Sequence, residues 1–270
     1  MVFPVLFWIL VAVSAVLCCI GFYRFVWFMS VGYGLAVAGC GAAMLVSALI
    51  NGFYNIPYLI ICVLLVVYGC RLGLFLLIRE LKNKNYQKTL NAQTAKPVPF
   101  FVKIMMWIMM AFLYPAQVSS ALYRQVNAVA AEATGFTAGD VLTWVGAAIM
   151  LTGILLEAIS DKQKSAQKKE NPGMPATKGL FKLCRCPNYF GEILVWTGCF
   201  VSGLNILKGW QWLIAVLGYI LIVYIMFSGA KRLEKRHNKN YGDKPEYIEY
   251  SNKTPILIPF LPIYHLVKKD

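Results

Sequence analysis

Charge is what this sequence is short of. Only 14% of its 270 residues are charged and 59% are hydrophobic, with a mean hydropathy of +0.61. An average soluble domain is about 25% charged. A water-soluble chain of this length could not cover its surface with so few charges. The same figures exclude a disordered chain, a collagen-like repeat, a coiled coil and a disulfide-stapled miniprotein. Histidine is scarcer still, at two residues. A zinc site around the Cys184-Arg185-Cys186 pair would need two further ligands, so no metal is expected. The other cysteines are scattered, and Cys18, Cys19, Cys40, Cys62 and Cys70 fall in apolar runs, where a free thiol packs as a small hydrophobe. Two nucleotide motifs are also missing. No G-x-G-x-x-G opens a helix after a strand, and no G-x-x-x-x-G-K-[ST] occurs. A nucleotide-type cofactor would therefore be held by helix ends and loops, not by a Rossmann domain. Internal repeats and low-complexity stretches are absent as well.

What the chain does have is long apolar runs. A membrane span needs about 20 mostly apolar residues, and seven segments qualify: 2–22, 27–50, 57–78, 99–122, 141–159, 189–204 and 210–228. The first lacks the basic start and the cleavage site of a signal peptide. The fourth begins near Lys103 and contains Pro115, which predicts a kink. Lys and Arg total 26 against 12 Asp and Glu, a formal charge of +14. Twenty-two of these bases fall in alternate connections and the tail, two in the remaining connections, and Arg71 and Lys103 lie within spans. That alternation predicts an all-α polytopic membrane protein with about seven transmembrane helices, N-terminus outside and C-terminus cytosolic. A bacterial inner membrane, or the endoplasmic reticulum of a eukaryote, is the expected setting. The basic excess is assigned to cytosolic loops and lipid headgroups and not to nucleic acid. Loops 79–97 and 160–187 begin as polar extensions of membrane helices, and Asn171-Pro172-Gly173 breaks the second. The tail, 229–270, carries an apolar proline-rich stretch at 254–262, expected to pack on the membrane face or on helix ends.

Several polar residues stand where apolar ones would be cheaper. Arg71 lies inside the third segment, where an arginine at mid-bilayer costs about 2.5–3.5 kcal/mol on insertion scales. Tyr68, Arg71, Phe75 and Arg79 recur at three- and four-residue steps, so they share one helix face. Either Arg71 snorkels to the headgroups beside Arg79, or the face lines a polar cavity. Glu157 follows an uninterrupted apolar run, with Asp161 one turn on. In Arg185-Cys186-Pro187-Asn188-Tyr189-Phe190-Gly191-Glu192, Pro187 suits the first turn of a helix. Asn188, Glu192 and Trp196 then stack on one face, and Gly191 leaves room for a close approach. Arg185 precedes that helix, where free N–H groups favour anions, so this corner is read as a ligand site. In the tail, Lys231, Arg232, Glu234, Arg236, Tyr247 and Tyr250 form either a lipid-attracting basic segment or a nucleotide grip.

The stretch Gly179-Leu-Phe-Lys-Leu-Cys-Arg-Cys-Pro-Asn-Tyr-Phe-Gly-Glu192, followed by Trp196-Thr-Gly198, resembles the C-terminal domain of the steroid 5-alpha-reductase family, above all its bacterial branch. Glu157 to Asp161 and Gln163 is similar to the family's E-x-x-x-D-x-Q. Glu234-Lys-Arg236, Tyr247, Tyr250 and Thr254-Pro-Ile-Leu-Ile-Pro259 resemble its ending, and Tyr68 with Arg71 a Y-x-x-R on a middle helix. The resemblance covers about residues 60–262. It divides the chain into two N-terminal helices (1–56) and a reductase-like membrane domain with cytosolic cofactor-binding loops (57–270).

The resemblance implies NADPH-dependent reduction of a carbon–carbon double bond conjugated to a ketone in a lipophilic, steroid-like substrate. Glu157, Asp161, Asn188, Tyr189, Glu192 and Trp196 would surround the cofactor. Arg71 and Arg185 would face its phosphates, with Arg232, Arg236 and Tyr250 as further contacts. Tyr68 would donate the proton, since a phenol stays protonated at pH 7 and can bond a developing enolate. Two departures stand out. The family's Arg-His-Pro is Arg185-Cys186-Pro187 here. Its substrate-holding Gln-Glu pair on the second helix is missing, and that segment offers only Ser30, Tyr33, Ser47 and Asn51. Two other readings remain. One is an S-adenosylmethionine-dependent methyltransferase of the isoprenylcysteine carboxyl methyltransferase type, which shares the Arg-x-Pro-x-Tyr block. The other is a non-catalytic lipid-binding membrane protein.

Overall fold

The computed structural model describes residues 3–82 and 98–267. Most of the expected loop 79–97, and the last three residues of the tail, lie outside the described residues. The helices among the described residues are α1 (Val5–Cys18), α2 (Ile20–Tyr23), α3 (Val31–Ile50), α4 (Ile56–Lys82), α5 (Phe100–Gln117), α6 (Ser119–Ala130), α7 (Val141–Glu170), α8 (Pro187–Val201), α9 (Gln211–Tyr241) and α10 (Pro245–Lys253). Six stretches are long and apolar enough to cross a membrane: Val5–Tyr23, Phe25–Ile50, Ile56–Lys82, Phe100–Gln117, Val141–Glu170 and Gln211–Tyr241. The chain is an all-α polytopic membrane protein. The expected sixth segment, 189–204, corresponds to α8, which has 15 residues. At 1.5 Å per residue it rises about 22 Å, short of the roughly 30 Å hydrocarbon core.

Two compact units divide the chain, Met1–Ala147 with Cys199–Tyr219, and Ala148–Gly198 with Ile220–Asp270. In the first, α3 and α4 pack backbone to backbone. A methyl group placed on Gly34 would lie 2.5 Å from the Gly73 nitrogen and 2.7 Å from the Gly69 carbonyl oxygen. Between membrane helices, where lipid is as apolar as leucine, such close van der Waals packing of small residues is the main attraction. α1 lies along α5, fixed by Trp107 Nε1–H donating to the Ala15 carbonyl at 2.7 Å and by Lys103 Nζ reaching the Phe22 carbonyl at 3.2 Å. The expected kink of the fourth span appears three residues after Pro115, where α5 ends and α6 begins at Ser119. A short parallel ribbon, Phe53–Asn55 against Gly135–Thr137, joins the connections after α3 and α6. Three residues per strand are too few to leave a period in the sequence.

In the second unit, α7 continues as a helix to Glu170, as its polar extension predicts, and stops before Asn171-Pro172-Gly173. α8 starts at Pro187 and meets α7 through glycines: a methyl on Gly153 would lie 2.5 Å from the Gly191 carbonyl oxygen. The tail after α10 packs against this unit, with Ile256 and Leu257 buried and the Arg185 N–H donating to the Pro255 carbonyl at 2.8 Å.

Candidate functional site

The second unit carries a basic cleft. Its cavity of about 190 Å³ is lined by Lys164 and Lys168 of α7, Arg185 ahead of α8, Arg236, His237 and Tyr241 of α9, and Tyr250 of α10, among others. The lining follows from helical spacing. Asp161, Lys164 and Lys168 fall at three- and four-residue steps, so α7 turns one polar face inward. That spacing was the available signal for Lys164 and Lys168, which sequence reasoning left among the general basic extension. Arg236 and Tyr250, candidate cofactor contacts, line this cleft, whereas Arg232 is exposed and is not among its lining residues.

Arg185 reaches the cleft under restraint. Its Nη2 donates to Glu234 Oε1 at 2.9 Å and to the Tyr264 carbonyl. Glu234 also accepts the Leu266 and Val267 N–H groups at 2.8 and 3.1 Å and faces His265 Nδ1 at 2.9 Å. The expected phosphate-facing arginine is therefore first an anchor for the tail. Its Nε–H is buried without a hydrogen-bond partner among the described residues. Lys168 is likewise engaged, donating to the Pro172 and Met174 carbonyls and to the Tyr241 hydroxyl at 2.7–2.9 Å. Tyr250 lines the cleft with its ring while its hydroxyl donates to the Phe181 carbonyl at 2.7 Å, and burial pushes that phenol's pKa up.

The E-x-x-x-D-x-Q stretch shapes the loop beside the cleft. Gln163 Oε1 accepts the Leu180 N–H at 2.9 Å, and one turn on Gln167 Oε1 accepts the Thr177 and Lys178 N–H groups at 3.0 and 2.9 Å. Gly179, at φ +67°, lies directly under Gln163, where a side chain would be strained and would collide. Glu157, Asp161, Glu192 and Trp196 are all buried on α7 and α8. Asn188 is half-buried, and its Oδ1 is sealed from water with no hydrogen-bond partner among the described residues. Tyr189 packs its ring on Gly229 of α9. The close approach expected at Gly191 is made by α7: a methyl there would lie 2.8 Å from the Glu157 nitrogen. Cys184 and Cys186 are buried free thiols, pushed up to about 12 and about 11 by burial. They stay protonated and unreactive at neutral pH.

Tyr68 and Arg71 belong to the first unit. Tyr68 is fully buried, and its hydroxyl oxygen lies 3.4 Å from that of Tyr33 on α3. The Tyr33 ring packs on Tyr114 of α5 at 5.2 Å, and the Tyr114 hydroxyl donates to the Phe28 carbonyl at 2.7 Å. Arg71 is half-buried one turn along α4. Farther along the same helix, Glu80 is fully buried and accepts from Trp27 Nε1–H and from the Ser30 hydroxyl. Sequence reasoning passed over Glu80, because it lies next to the charged end of the helix, where a solvated acid is ordinary.

Comparison with known proteins adds to this geometry. The model of a family described as protein of unknown function, DUF1295, matches residues 22–254. The chain is similar to the steroid 5-alpha-reductase DET2 of Arabidopsis thaliana, 28% identical over 145 residues, which are 52% of this chain and 50% of that protein. It is similar to 3-oxo-5-alpha-steroid 4-dehydrogenase 1 of Bos taurus, 26% identical over 170 residues (62% and 58%). The Homo sapiens protein of the same name is 29% identical over 119 residues (43% and 41%). The chain spans about half the length of the curated relatives it matches. No solved structure matches it.

Proposed function

The chain belongs to the DUF1295 family, and on that footing we propose that it is a membrane-embedded reductase. It uses NADPH to reduce a carbon–carbon double bond conjugated to a ketone in a steroid-like or other lipophilic substrate. The relatives named as steroid reductases point to the reaction class. The single observation that carries the cofactor half of the reading is the basic cleft of the second unit.

The residues present fit an anionic dinucleotide. At about 190 Å³ the cleft is smaller than the roughly 300–1,000 Å³ of a whole-ligand pocket, so it suits one phosphate-bearing end. Lys164 and Arg236 supply cationic donors there, and the Arg185 Nε–H is a further donor already freed of solvent. The sealed Asn188 Oδ1 is an acceptor suited to an amide N–H such as a nicotinamide carboxamide offers. Bound NADPH supplies the hydride. Glu192 and Trp196, buried on the same face of α8 as Asn188, hold the ring end and keep water out. Tyr68 holds the proton destined for the substrate oxygen. A cleft this basic favours a polyanion over S-adenosylmethionine, whose sulfonium is cationic.

Titration of the detergent-purified protein with NADPH, NADH and S-adenosylmethionine, by calorimetry or thermal shift, tests the reading. NADPH should bind, Asn188→Ala and Glu192→Ala should abolish binding, and Lys164→Ala or Arg236→Ala should each weaken it about tenfold, the effect of one charge-assisted hydrogen bond of about 1.5 kcal/mol. Binding of S-adenosylmethionine instead would make the chain a methyltransferase. Silence of the folded protein toward all three would leave a non-catalytic lipid binder.

A further inference from the structure

The tail after α10 divides its apolar residues between two fates. Ile256 and Leu257 are buried at 1% exposure each, whereas Phe260, Leu261, Pro262 and Ile263 are all exposed, Phe260 at 92%. A run of four exposed apolar residues is unfavourable in a loop that faces water and marks a surface that meets something apolar. We propose that residues 260–263 are an interfacial anchor, dipping into the anionic leaflet on the basic side of the chain and from there steadying Arg185 in the cleft. The link to cofactor binding rests on the reductase reading; the anchor itself does not.

The loop is built to enter an apolar layer. It is closed on itself: the Ile256 N–H donates to the Ile263 carbonyl at 2.8 Å, the Leu261 N–H to the Ile258 carbonyl at 3.4 Å and the Ile263 N–H to the Leu261 carbonyl at 2.7 Å. Pro259 and Pro262 have no N–H to satisfy. A bare backbone donor is costly where there is no water, and residues 259–263 bring few of them. At the tip Phe260 has φ +67°, a left-handed conformation in which a bulky residue is strained and a glycine is not. The fold gains no packing from the ring in return, since it stands almost wholly clear of the chain.

Where the loop is tethered selects a lipid surface as its partner. Both ends are tied to Arg185, whose N–H donates to the Pro255 carbonyl at 2.8 Å and whose Nη2 donates to the Tyr264 carbonyl. Arg185 stands two residues ahead of Pro187, where α8 begins. The tether therefore sits at the level where an apolar helix leaves the headgroups. Leu183, two residues before Arg185, is exposed at 46%. The charges match as well. Lys182, Lys231 and Arg232 are exposed and lie within three residues of Arg185 or of its partner Glu234. Bases gathered around an apolar tip draw a segment to anionic headgroups. The same tethers join the anchor to the cleft, because a loop fixed in the leaflet fixes both carbonyls that hold Arg185.

The test uses the full chain in nanodiscs of phosphatidylcholine and phosphatidylglycerol. In a background of Cys19→Ala and Cys70→Ala, which removes the exposed thiols, a nitroxide is attached at Phe260→Cys or, for comparison, at Lys239→Cys near the polar end of α9. Both positions are exposed, so neither label disturbs packing. Power saturation with oxygen and with a water-soluble nickel chelate reads the depth. The label at 260 should lie about 5–10 Å into the headgroup and acyl boundary, the label at 239 should meet nickel severalfold more, and discs of phosphatidylcholine alone should bring the 260 label outward. A 260 label as open to nickel as the 239 label would overturn the anchor. Shelter accompanied by spin–spin broadening, both lost on dilution with unlabelled protein, would overturn it in favour of an interface between copies. NADPH titration in the same discs reads the cleft. Phe260→Asp should weaken binding severalfold with the melting temperature unchanged, and Phe260→Trp, a ring that favours the interface, should restore it. Unchanged affinity in Phe260→Asp would overturn the link to Arg185. An inserted label in a folded wild type that binds no NADPH would keep the anchor and defeat the reductase reading.

Discussion

Two buried arginines show how single residues are stabilised here. Arg185 and Glu234 form an ion pair whose side chains are 5% and 0% exposed. Removing one partner of such a pair leaves an uncompensated buried charge, at a cost of about 3–5 kcal/mol. Glu234→Gln should therefore lower the unfolding free energy by about that much, whereas Arg185→Met with Glu234→Gln should recover part of the loss in a double-mutant cycle of thermal unfolding. Arg124 in the first unit binds the Ser202 carbonyl, Asn205 Oδ1 and, at 2.5 Å, Asp140 Oδ2. Asp140 also caps α7, accepting the Thr143 N–H at 3.0 Å. Burial alone would raise the Asp140 carboxyl, but the Thr143 N–H and the Arg124 guanidinium outweigh it and hold the carboxyl below its usual value. A depressed carboxyl stabilises the fold above its unfolded value, near 3.9, and loses that contribution as pH falls through the folded value. Asp140→Asn keeps the cap and removes the charge. Because the Asp140 side chain is 36% exposed, the expected cost at pH 7 is only about 1 kcal/mol. The gap between wild type and variant should close as the melt is repeated toward pH 3.

At the scale of elements, what could be read in advance depended on length. The six long apolar helices, the Pro187 start of α8 and the break after Glu170 follow from runs and punctuation that a sequence displays directly. The Asn188, Glu192 and Trp196 face followed from four-residue spacing. Other features depend on which helix lies against which, and no spacing within one helix encodes that. The space at Gly191 is filled by α7, Arg185 is tied to Glu234 forty-nine residues away, and Tyr33 meets Tyr68 across α3 and α4. The glycines of that last contact give a sharp prediction, because they are not equivalent. A methyl at Gly34 would sit 2.5 Å from backbone, whereas one at Gly73 would find its nearest neighbours at 3.6 Å, an ordinary contact. Gly34→Ala should cost about 1–3 kcal/mol as overpacking and disturb the phenol pair. Gly73→Ala should be neutral or stabilising by about 0.5–1 kcal/mol through helix propensity. Melting temperatures of the two variants in one detergent would decide it, and equal effects would mean that the helices are not in backbone contact.

For the whole molecule, the parity of membrane crossings is decided by the shortest apolar helix. Six long helices alone would return the chain to the side on which it began, and a crossing by α8 makes the number odd. Length speaks against that crossing, since 15 residues reach about 22 Å across a core of roughly 30 Å. Charge speaks for it. Residues 160–188 carry seven Lys and Arg, the connection around Lys208 carries one, and the tail carries nine. If α8 stayed on one side, α9 would deliver the nine bases of the tail to the outer face, against the bias that sets orientation. Moving seven and nine bases together to the cytosol outweighs a shortfall of about 8 Å, which costs fractions of a kcal/mol per Å through bilayer thinning and snorkelling. The aromatic rings at that end fit an interface position, with Trp210, Trp212 and Trp144 all exposed, as such residues are in the headgroup belt. The chain is therefore expected to cross seven times, with its ends on opposite faces. A fluorescent protein fused after residue 270 should be bright, alkaline phosphatase at the same point inactive, and a cysteine placed ahead of α1 open to a membrane-impermeant maleimide in intact cells. Both ends on the cytosolic face would mean that α8 lies within one leaflet and that the basic tail follows six crossings.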